Sequence, residues 1–434
     1  MELTETQREI LRVIESGENV FMSGPGGCGK SFVIQNICDL TTKRNIRTTV
    51  TATTGCAAVL LGVSAMTLNS WSGVGLGTEP TSKIVKSIFM NAMKRSRWTD
   101  TDVLVIDEVS MLSKHMFDLL DSVGRAVRRN NKPFGGIQVV LSGDFYQLPP
   151  IGNDKIPNSE CFCFESENWW KTFGGNQICL EKVFRQDGDL KYKKILNQVR
   201  IGGISRKNYE ILLTCVNKVN TSDINPVKLY PRKRIVDDIN KKENAKLPGQ
   251  YHEYTVETYK MNVGSIRSPL KDLNEIRNVL NASSKNVEDV LLLKIGSHVM
   301  CTVNFDMESA LQICNGSCGI VINFSETLMP VVKFHNGRVQ TMEHYTIPVE
   351  IDEYKYEYAI VPLALSWAMT IHKSQGCSLD IAEIDVGSDT FEIGQTYVAL
   401  SRVRSLNGLF LKAFDPNKIM SNKKVTQFYN KLKK

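Results

Sequence analysis

One octapeptide, GPGGCGKS at Gly24–Ser31, limits what this 434-residue chain can fold into more than any other feature. It fits the spacing G-x-x-x-x-G-K-[ST]. The apolar run Asn19-Val20-Phe21-Met22 precedes it, and Phe32, Val33, Ile34 and Ile37 follow at helical spacing. Strand, glycine-rich loop and helix in that order build a phosphate cradle. Gly24, Gly26, Gly27 and Gly29 let the backbone curl around a polyphosphate, with Pro25 and Cys28 completing the loop. The following helix adds partial positive charge at its N-terminus. In such a loop Lys30 reaches the β- and γ-phosphates of ATP, and the Ser31 hydroxyl holds Mg²⁺.

The runs around this loop extend the argument to the fold. Arg47–Thr51, Val103–Ile106 and Val139–Leu141 also read as strands. They are rich in apolar and β-branched residues rather than strictly alternating, as parallel strands covered on both faces are. The segments between them can hold crossover helices, so the pattern is α/β. At roughly 100–200 residues per domain, the length suggests two to four domains. A Gly/Pro/Thr loop and a basic, Met-rich piece interrupt the first domain at about residues 77–98, which reads as a small insertion. A boundary is expected near Gly174-Gly175, after which Val227–Tyr230 begins a second α/β pattern. Residues from about 250 to 290 carry little pattern. From 291 to 361 short strands alternate with Asn/Gly turns, among them His335-Asn336-Gly337, and read as a small barrel inserted in the second domain.

Composition excludes several classes. Hydrophobic residues make up 42% and charged residues 23%, which is too apolar for a disordered polymer. No apolar stretch approaches the roughly 18–20 residues of a membrane span. MELTETQREI has neither the basic-then-apolar form of a secretory signal nor the look of a mitochondrial presequence, so an intracellular protein of nucleus or cytoplasm is expected, viral or host. The eleven cysteines lack zinc-site spacing and read as reduced thiols. A net charge of +7 suits a polyanionic partner without demanding one.

Two further segments carry chemistry. Val103–Glu108 is four apolar residues ending in two acids. At the tip of a parallel strand, Asp107 faces the cleft and serves Mg²⁺, while Glu108 polarises the attacking water. Ser142–Pro150, SGDFYQLPP, follows another apolar strand, and its Gln147 reads either as a solvated loop side chain or, on the resemblance that follows, as a partner of the γ-phosphate or the water.

With these residues in view, the chain resembles the superfamily 1 DNA helicases of the Pif (petite integration frequency) type, which are RecD-like. The resemblance runs over nearly the whole chain. LTETQREIL is similar to the Q-motif, with Gln7 as the adenine contact. TATTGCAA at Thr51–Ala58, followed by TLNSW, resembles the next motif and its extension. Glu108–Arg128 is similar to the stretch that marks the Pif group. VFRQ at Val183–Gln186 resembles the motif of an arginine finger. LLLKIGSHVMCTVN and NGSCGIV resemble the family's small-barrel entry. Trp367–Asp380 and Gly394–Ser405 match the last two motifs.

The resemblance implies an α/β fold of two RecA-like parallel-sheet domains, residues 1–177 and 178–434, with a wedge insertion at about 77–98 and an inserted SH3-like β-barrel at about 291–361. It implies ATP between the two domains, with Arg185 and Arg402 approaching the γ-phosphate and Gly376 beside the nucleotide. It implies an ATP hydrolase that unwinds DNA 5′ to 3′, on tailed duplexes, forks, DNA–RNA hybrids or G-quadruplexes, in replication, repair, recombination or telomere maintenance. A monomer in isolation and no membrane partner are expected. By the same resemblance, Thr53, Thr54, Ser70 and Trp71 line the first domain's part of a single-strand track, with Pro149 and Pro150 near the cleft and Thr370, His372, Lys373 and Ser374 in the second domain.

Some readings stay open on the residues. Trp71 suits a core as well as a track, and His372 could be a structural histidine. Lys94, Arg95 and Arg97 of the insertion suit phosphate contacts or a solvated face equally. The family's TLHSF is TLNSW here, and its Thr-Asn pair after Tyr230-Pro231 is Arg232-Lys233. An RNA substrate is chemically compatible. A switch ATPase would hydrolyse ATP without regard to nucleic acid, and a passive single-strand binder would not need Lys30.

Overall fold

The computed structural model describes all residues except 1, 55–56, 59–60, 62–64, 187, 221–225, 262–266, 283–289, 304, 307–308, 310, 312, 314–316, 352–353 and 433–434. Gly55 and Cys56 of the TATTGCAA run, and Asn315 and Gly316 of NGSCGIV, therefore lie outside the described residues.

The first sheet holds six strands: β1 (Val20–Ser23), β2 (Thr48–Ala52), β3 (Met66–Thr67), β4 (Val103–Asp107), β5 (Gln138–Gly143) and β6 (Gln177–Cys179). Their order is β3-β2-β4-β5-β1-β6, and every pairing is parallel. Burial explains why β1, β4 and β5 are largely apolar. Phe21, Leu104, Ile106 and Leu141 point into one hydrophobic core, and Val20, Met22, Val105 and Val140 into the core on the other face. The period-2 pleat thus alternates between two buried sides. β6 completes this sheet across the boundary expected at 177/178.

The chain ends in the helix Lys423–Leu432, whose Val425, Phe428 and Tyr429 are buried in the core that holds Phe21 and Trp169. The first sheet is therefore covered in part by the last ten-residue helix of the chain. The insertion forms two helices, Thr81–Met90 and Ala92–Asp100. Ile84, Ile88 and Trp98 root them in the same core, and the Trp98 indole N–H donates to the Ser72 carbonyl at 2.9 Å. Leu76, Met90 and Met93 stay exposed.

A second, four-stranded sheet has the order Ala368–Thr370, Val227–Tyr230, Ala382–Val386, Leu409–Phe414. Its three strands from Val227–Tyr230 onward are parallel. The described residues divide into two compact units: Met1–Lys233 with Met369–Lys434, and Arg234–Ala368.

The second unit is mostly antiparallel. A five-stranded sheet runs Val339–Thr341, Pro330–Phe334, Cys318–Phe324, His298–Cys301, Leu363–Leu365 around Val299, Val321, Val332 and Phe334. The Asn336-Gly337 turn joins its first two members, with Gly337 at φ 90°. Tyr345–Ile351 and Tyr354–Ile360 instead pair with each other, and the latter with Glu257–Met261, in a separate sheet. The poorly patterned stretch near 250–290 thus supplies strands His252–Thr255, Glu257–Met261 and Arg267–Pro269 and the helix Leu273–Ala282. Their burial is partial, which is why no clean alternation marks them. No helix among the described residues is long and apolar enough to cross a membrane.

Candidate functional site

The phosphate loop leaves the C-terminal end of β1 and runs into the helix Lys30–Lys43. The Lys30 ammonium rests on the carbonyls of Gly24 (2.7 Å) and Pro25 (3.2 Å), so it is held inside the loop's curl. Gly27 and Gly29 adopt φ of 81° and 87°, which glycine reaches without a Cβ penalty. The space is as restrictive as the torsion. A Cβ on Gly27 would sit 2.3 Å from the Arg185 Cβ, and one on Gly29 would sit 2.9 Å from the Gln7 amide nitrogen.

Those two neighbours arrive from different elements. Gln7 closes a capping box at the start of the helix Glu5–Glu15: its amide oxygen accepts the Thr4 N–H at 2.9 Å. Its NH₂ is thereby turned toward the loop, and the side chain is buried. Arg185 lies on the segment after β6. The Leu180 N–H donates to Ser23 O (2.7 Å) and the Phe184 N–H to Gly27 O (2.8 Å), which fastens this segment onto the loop.

β4 ends at Asp107 and β5 leads to Gln147, so three strand ends meet at one edge of the sheet. Ligands bind in parallel α/β sheets at such carboxyl ends. Asp107 is buried, and its Oδ1 has no hydrogen-bond partner among the described residues. Burial, reinforced by the Glu108 charge beside it, pushes the Asp107 carboxyl up to about 6. A cation would relieve both. Glu108 takes a left-handed backbone, φ 54°, that swings its side chain off the strand line. Such a conformation costs an ordinary residue about 1–3 kcal/mol and is concentrated at functional sites. Thr53 supports it, its hydroxyl donating to the Glu108 carbonyl at 2.9 Å. Gln147 is buried, and its Oε1 too is unpartnered among the described residues.

Opposite the loop stand the two arginines. Arg185 donates to the Ser401 carbonyl at 2.9 Å. Arg402 is 1% exposed and donates to Val398 O, Cys377 O and the Ser401 hydroxyl. A Cβ on Gly26 would be 3.5 Å from one Arg402 nitrogen and 3.6 Å from one of Arg185. Burial, with the Arg402 charge close by, lowers Arg185 to about 10, so it still carries its proton at neutral pH. Gly26, Gly27, Gly29, Lys30, Ser31, Asp107, Glu108, Gln147, Arg185, Gly376 and Arg402 line one cavity of about 480 Å³. Gly24 and Pro25 meet Lys30 from below, and the buried Cys28 Sγ lies 3.8 Å from its ammonium.

Sequence reasoning passed over several residues here. The Gln375 amide donates to Glu108 Oε2 at 3.0 Å and to the Ser110 hydroxyl at 3.2 Å. Its position beside Gly376 was the available signal. Phe184, Ser378 and Arg404 also line the cavity.

The expected strand track is less uniform. Ser70 is exposed, and Thr370, His372 and Lys373 are at least partly so. Trp71 is a correction. It is 1% exposed and packs against Trp98 with ring centroids 4.6 Å apart, so no face remains for a base. Ser374 is another: it is fully buried and its hydroxyl donates to Ile371 O. Thr53 is engaged at the acid turn, and Thr54 accepts the Ala57 N–H. Pro149 and Pro150 line a separate cavity of about 260 Å³ with Tyr146 and Ile393. His372 stacks on the half-exposed Phe391 at 6.0 Å, and burial lowers its pKa. In the insertion, Arg95 and Arg97 donate to the carbonyls of Phe89 and Ser70. Arg232, where the family pattern departs, pairs with Asp389 at 3.2 Å and lies over the Phe391 ring.

Comparison with known proteins shows the family and the fold. The PIF1-like helicase family model matches residues 2–210. A Pif1 helicase from Candida albicans, 32% identical, superposes with a TM-score of 0.88 over 100% of both chains. The chain belongs to the PIF1-like helicase family. Other members extend the likeness. The ATP-dependent DNA helicase PIF1 of Danio rerio is 35% identical over 440 residues, covering 100% of this chain and 64% of its own length. This chain thus spans less than two thirds of that relative. A Bacteroides Pif1 helicase crystallised with ADP-AlF3 and single-stranded DNA is 28% identical, with a TM-score of 0.80 over 100% of this chain and 98% of that one.

Proposed function

We propose that this chain is an ATP-dependent DNA helicase that translocates 5′ to 3′ on single-stranded DNA and unwinds tailed or structured duplexes. One observation carries the reading: Lys30, Asp107, Glu108, Gln147, Arg185 and Arg402, drawn from five separate motifs, line a single cavity. The named activity of the relatives supports it, as does the Bacteroides relative's complex with a phosphate-transfer mimic and single-stranded DNA. The direction of travel comes from the family resemblance alone. The proposed lobes are 1–177 and 178–434, with the wedge at about 77–98 and the barrel within about 291–361.

In this mechanism Lys30 moves from the Gly24 and Pro25 carbonyls to the β- and γ-phosphates of ATP. Asp107 and Ser31 would hold Mg²⁺, and the buried Asp107 oxygen, unpartnered among the described residues, suits that role. When bound, the ion would supply charge that neutralises the phosphates. Glu108, steadied by Gln375, accepts the proton of the attacking water, and Gln147 orients it. Arg185 and Arg402 stabilise the charge that develops on the transferred phosphoryl group. Both are held beside the loop by backbone carbonyls. On the DNA side, Thr54, Ser70, Thr370, His372 and Lys373 meet the backbone, with Pro149 and Pro150 beside the cleft. Sequence-independent grip of this kind asks for backbone contacts rather than base readout.

The deciding experiment is strand displacement on duplexes with a 5′ or a 3′ single-stranded tail, with ATP or a non-hydrolysable analogue. ATP-dependent displacement of the 5′-tailed substrate is expected. Displacement only from a 3′ tail, or ATP turnover indifferent to single-stranded DNA, would reject the reading.

A further inference from the structure

The phosphate loop makes one contact that the scheme above does not use. The Gly26 N–H donates to the Tyr397 hydroxyl oxygen at 3.0 Å. Tyr397 lies on the helix Gln395–Leu400, and its hydroxyl in turn donates to Asp144 Oδ2 at 3.3 Å. Asp144 is fully buried and paired with Arg200 through two bonds, 2.8 Å to Oδ2 and 2.7 Å to Oδ1. The Arg200 guanidinium sits 4.6 Å above the Tyr146 ring, and Tyr429 stacks on that ring at 5.0 Å. The Tyr429 hydroxyl is 2.5 Å from that of Ser23, the residue before the loop. A buried carboxylate held this way is costly to leave half-satisfied, so the cluster is rigid when complete.

Asp144 also shapes the turn that carries Gln147. Its Oδ1 accepts the Tyr146 N–H at 3.2 Å and its carbonyl accepts the Gln147 N–H at 2.9 Å. At the other end, the Tyr397 carbonyl accepts the Ser401 N–H at 2.9 Å, and Arg402 follows directly. Gly26 is the loop residue that faces both arginines. One phenol therefore links the loop and the turn of Gln147 to the helix Gln395–Leu400, which ends two residues before Arg402.

We propose that Tyr397 is a positioning residue: through its hydroxyl the Gly26 end of the loop, the Asp144-set turn of Gln147 and the Arg402 helix adjust together when a terminal phosphate is engaged. This rests on reading the cavity as an ATP site. It makes Tyr397 specific for the transition state rather than for nucleotide in general, because the groups it joins all face the terminal phosphate.

The test is Tyr397→Phe, which keeps the buried ring and removes only the hydroxyl. Equilibrium titration with ADP and with ADP–aluminium fluoride, in the presence of single-stranded DNA, reads the effect without turnover. Binding of ADP–aluminium fluoride should weaken about tenfold, the scale of one well-placed hydrogen bond, with ADP binding changed less than about twofold. In steady state, kcat should fall by a similar factor while KM for ATP holds within about twofold. In the double variant with Gln147→Ala, the loss should be smaller than the product of the two single losses, as for coupled sites. Equal weakening of both ligands, no weakening of either, full multiplicativity, or a loss that merely follows a lowered Tm would overturn the proposal. If the wild-type protein binds both ligands yet releases no phosphate, the ATPase reading falls and the ADP comparison still decides Tyr397. If it binds neither, both fall.

Discussion

In the proposed nucleotide cleft, side chains from five motifs line one cavity. Along the expected strand track, Trp71 and Ser374 turn inward, Thr53 braces an acid, and Ser70 and Lys373 remain at the surface. The contrast teaches where motif reading has physical support. A phosphate site is built from backbone curl, strand ends and charges, and these follow from local order. A backbone-gripping track uses ordinary hydroxyls and rings, whose direction depends on packing.

The comparison can be broken at either end. Lys30→Ala should abolish ATP turnover and leave single-strand affinity within about twofold, since the phosphate lysine serves the nucleotide alone. Phosphate release and fluorescence anisotropy on the same preparation read both, and parallel loss of DNA binding would erase the distinction between the two regions. Arg185→Ala should lower kcat by roughly 10³-fold, the scale for a supplied arginine. It donates a single bond to a carbonyl, so the fold should survive. A variant with full activity would remove Arg185 from the cleft's chemistry.

Trp71→Ala sharpens the other side. As a core residue packed on Trp98, its removal should cost about 3–5 kcal/mol in denaturant unfolding. Single-strand affinity per folded molecule should not change. Lost affinity at unchanged stability would return Trp71 to the track. The smallest effect is expected from Lys373→Ala, an exposed cation. It should weaken single-strand binding only severalfold and reduce the salt slope by about 0.7, the value for one phosphate contact on a single strand. An unchanged slope would place Lys373 off the backbone.

Much of the fold could be read from residues alone. The runs at 19–22, 47–51, 103–106 and 139–141 fall on strands β1, β2, β4 and β5, and 227–230 on the first strand of the second sheet. Most were legible because burial on both faces leaves a largely apolar run, and 47–51 because its Thr and Val residues are β-branched. The stretch 250–290 was not, since its strands are half-buried and keep polar residues on both faces. The last helix was also hidden. Nothing local in VTQFYNKL says that Phe428 and Tyr429 belong to the core beside Phe21, four hundred residues away.

The same division runs through the site. Chain order and residue chemistry determined that a phosphate loop, a pair of strand-end acids and two arginines exist, because each is encoded within a few consecutive residues. Only the tertiary structure decided that Gln375 reaches Glu108, that Trp71 faces inward, and that Tyr397 meets Gly26. Those pairings join segments dozens to hundreds of residues apart. Their geometry is set by how helices cover the sheets, which no short stretch of sequence contains.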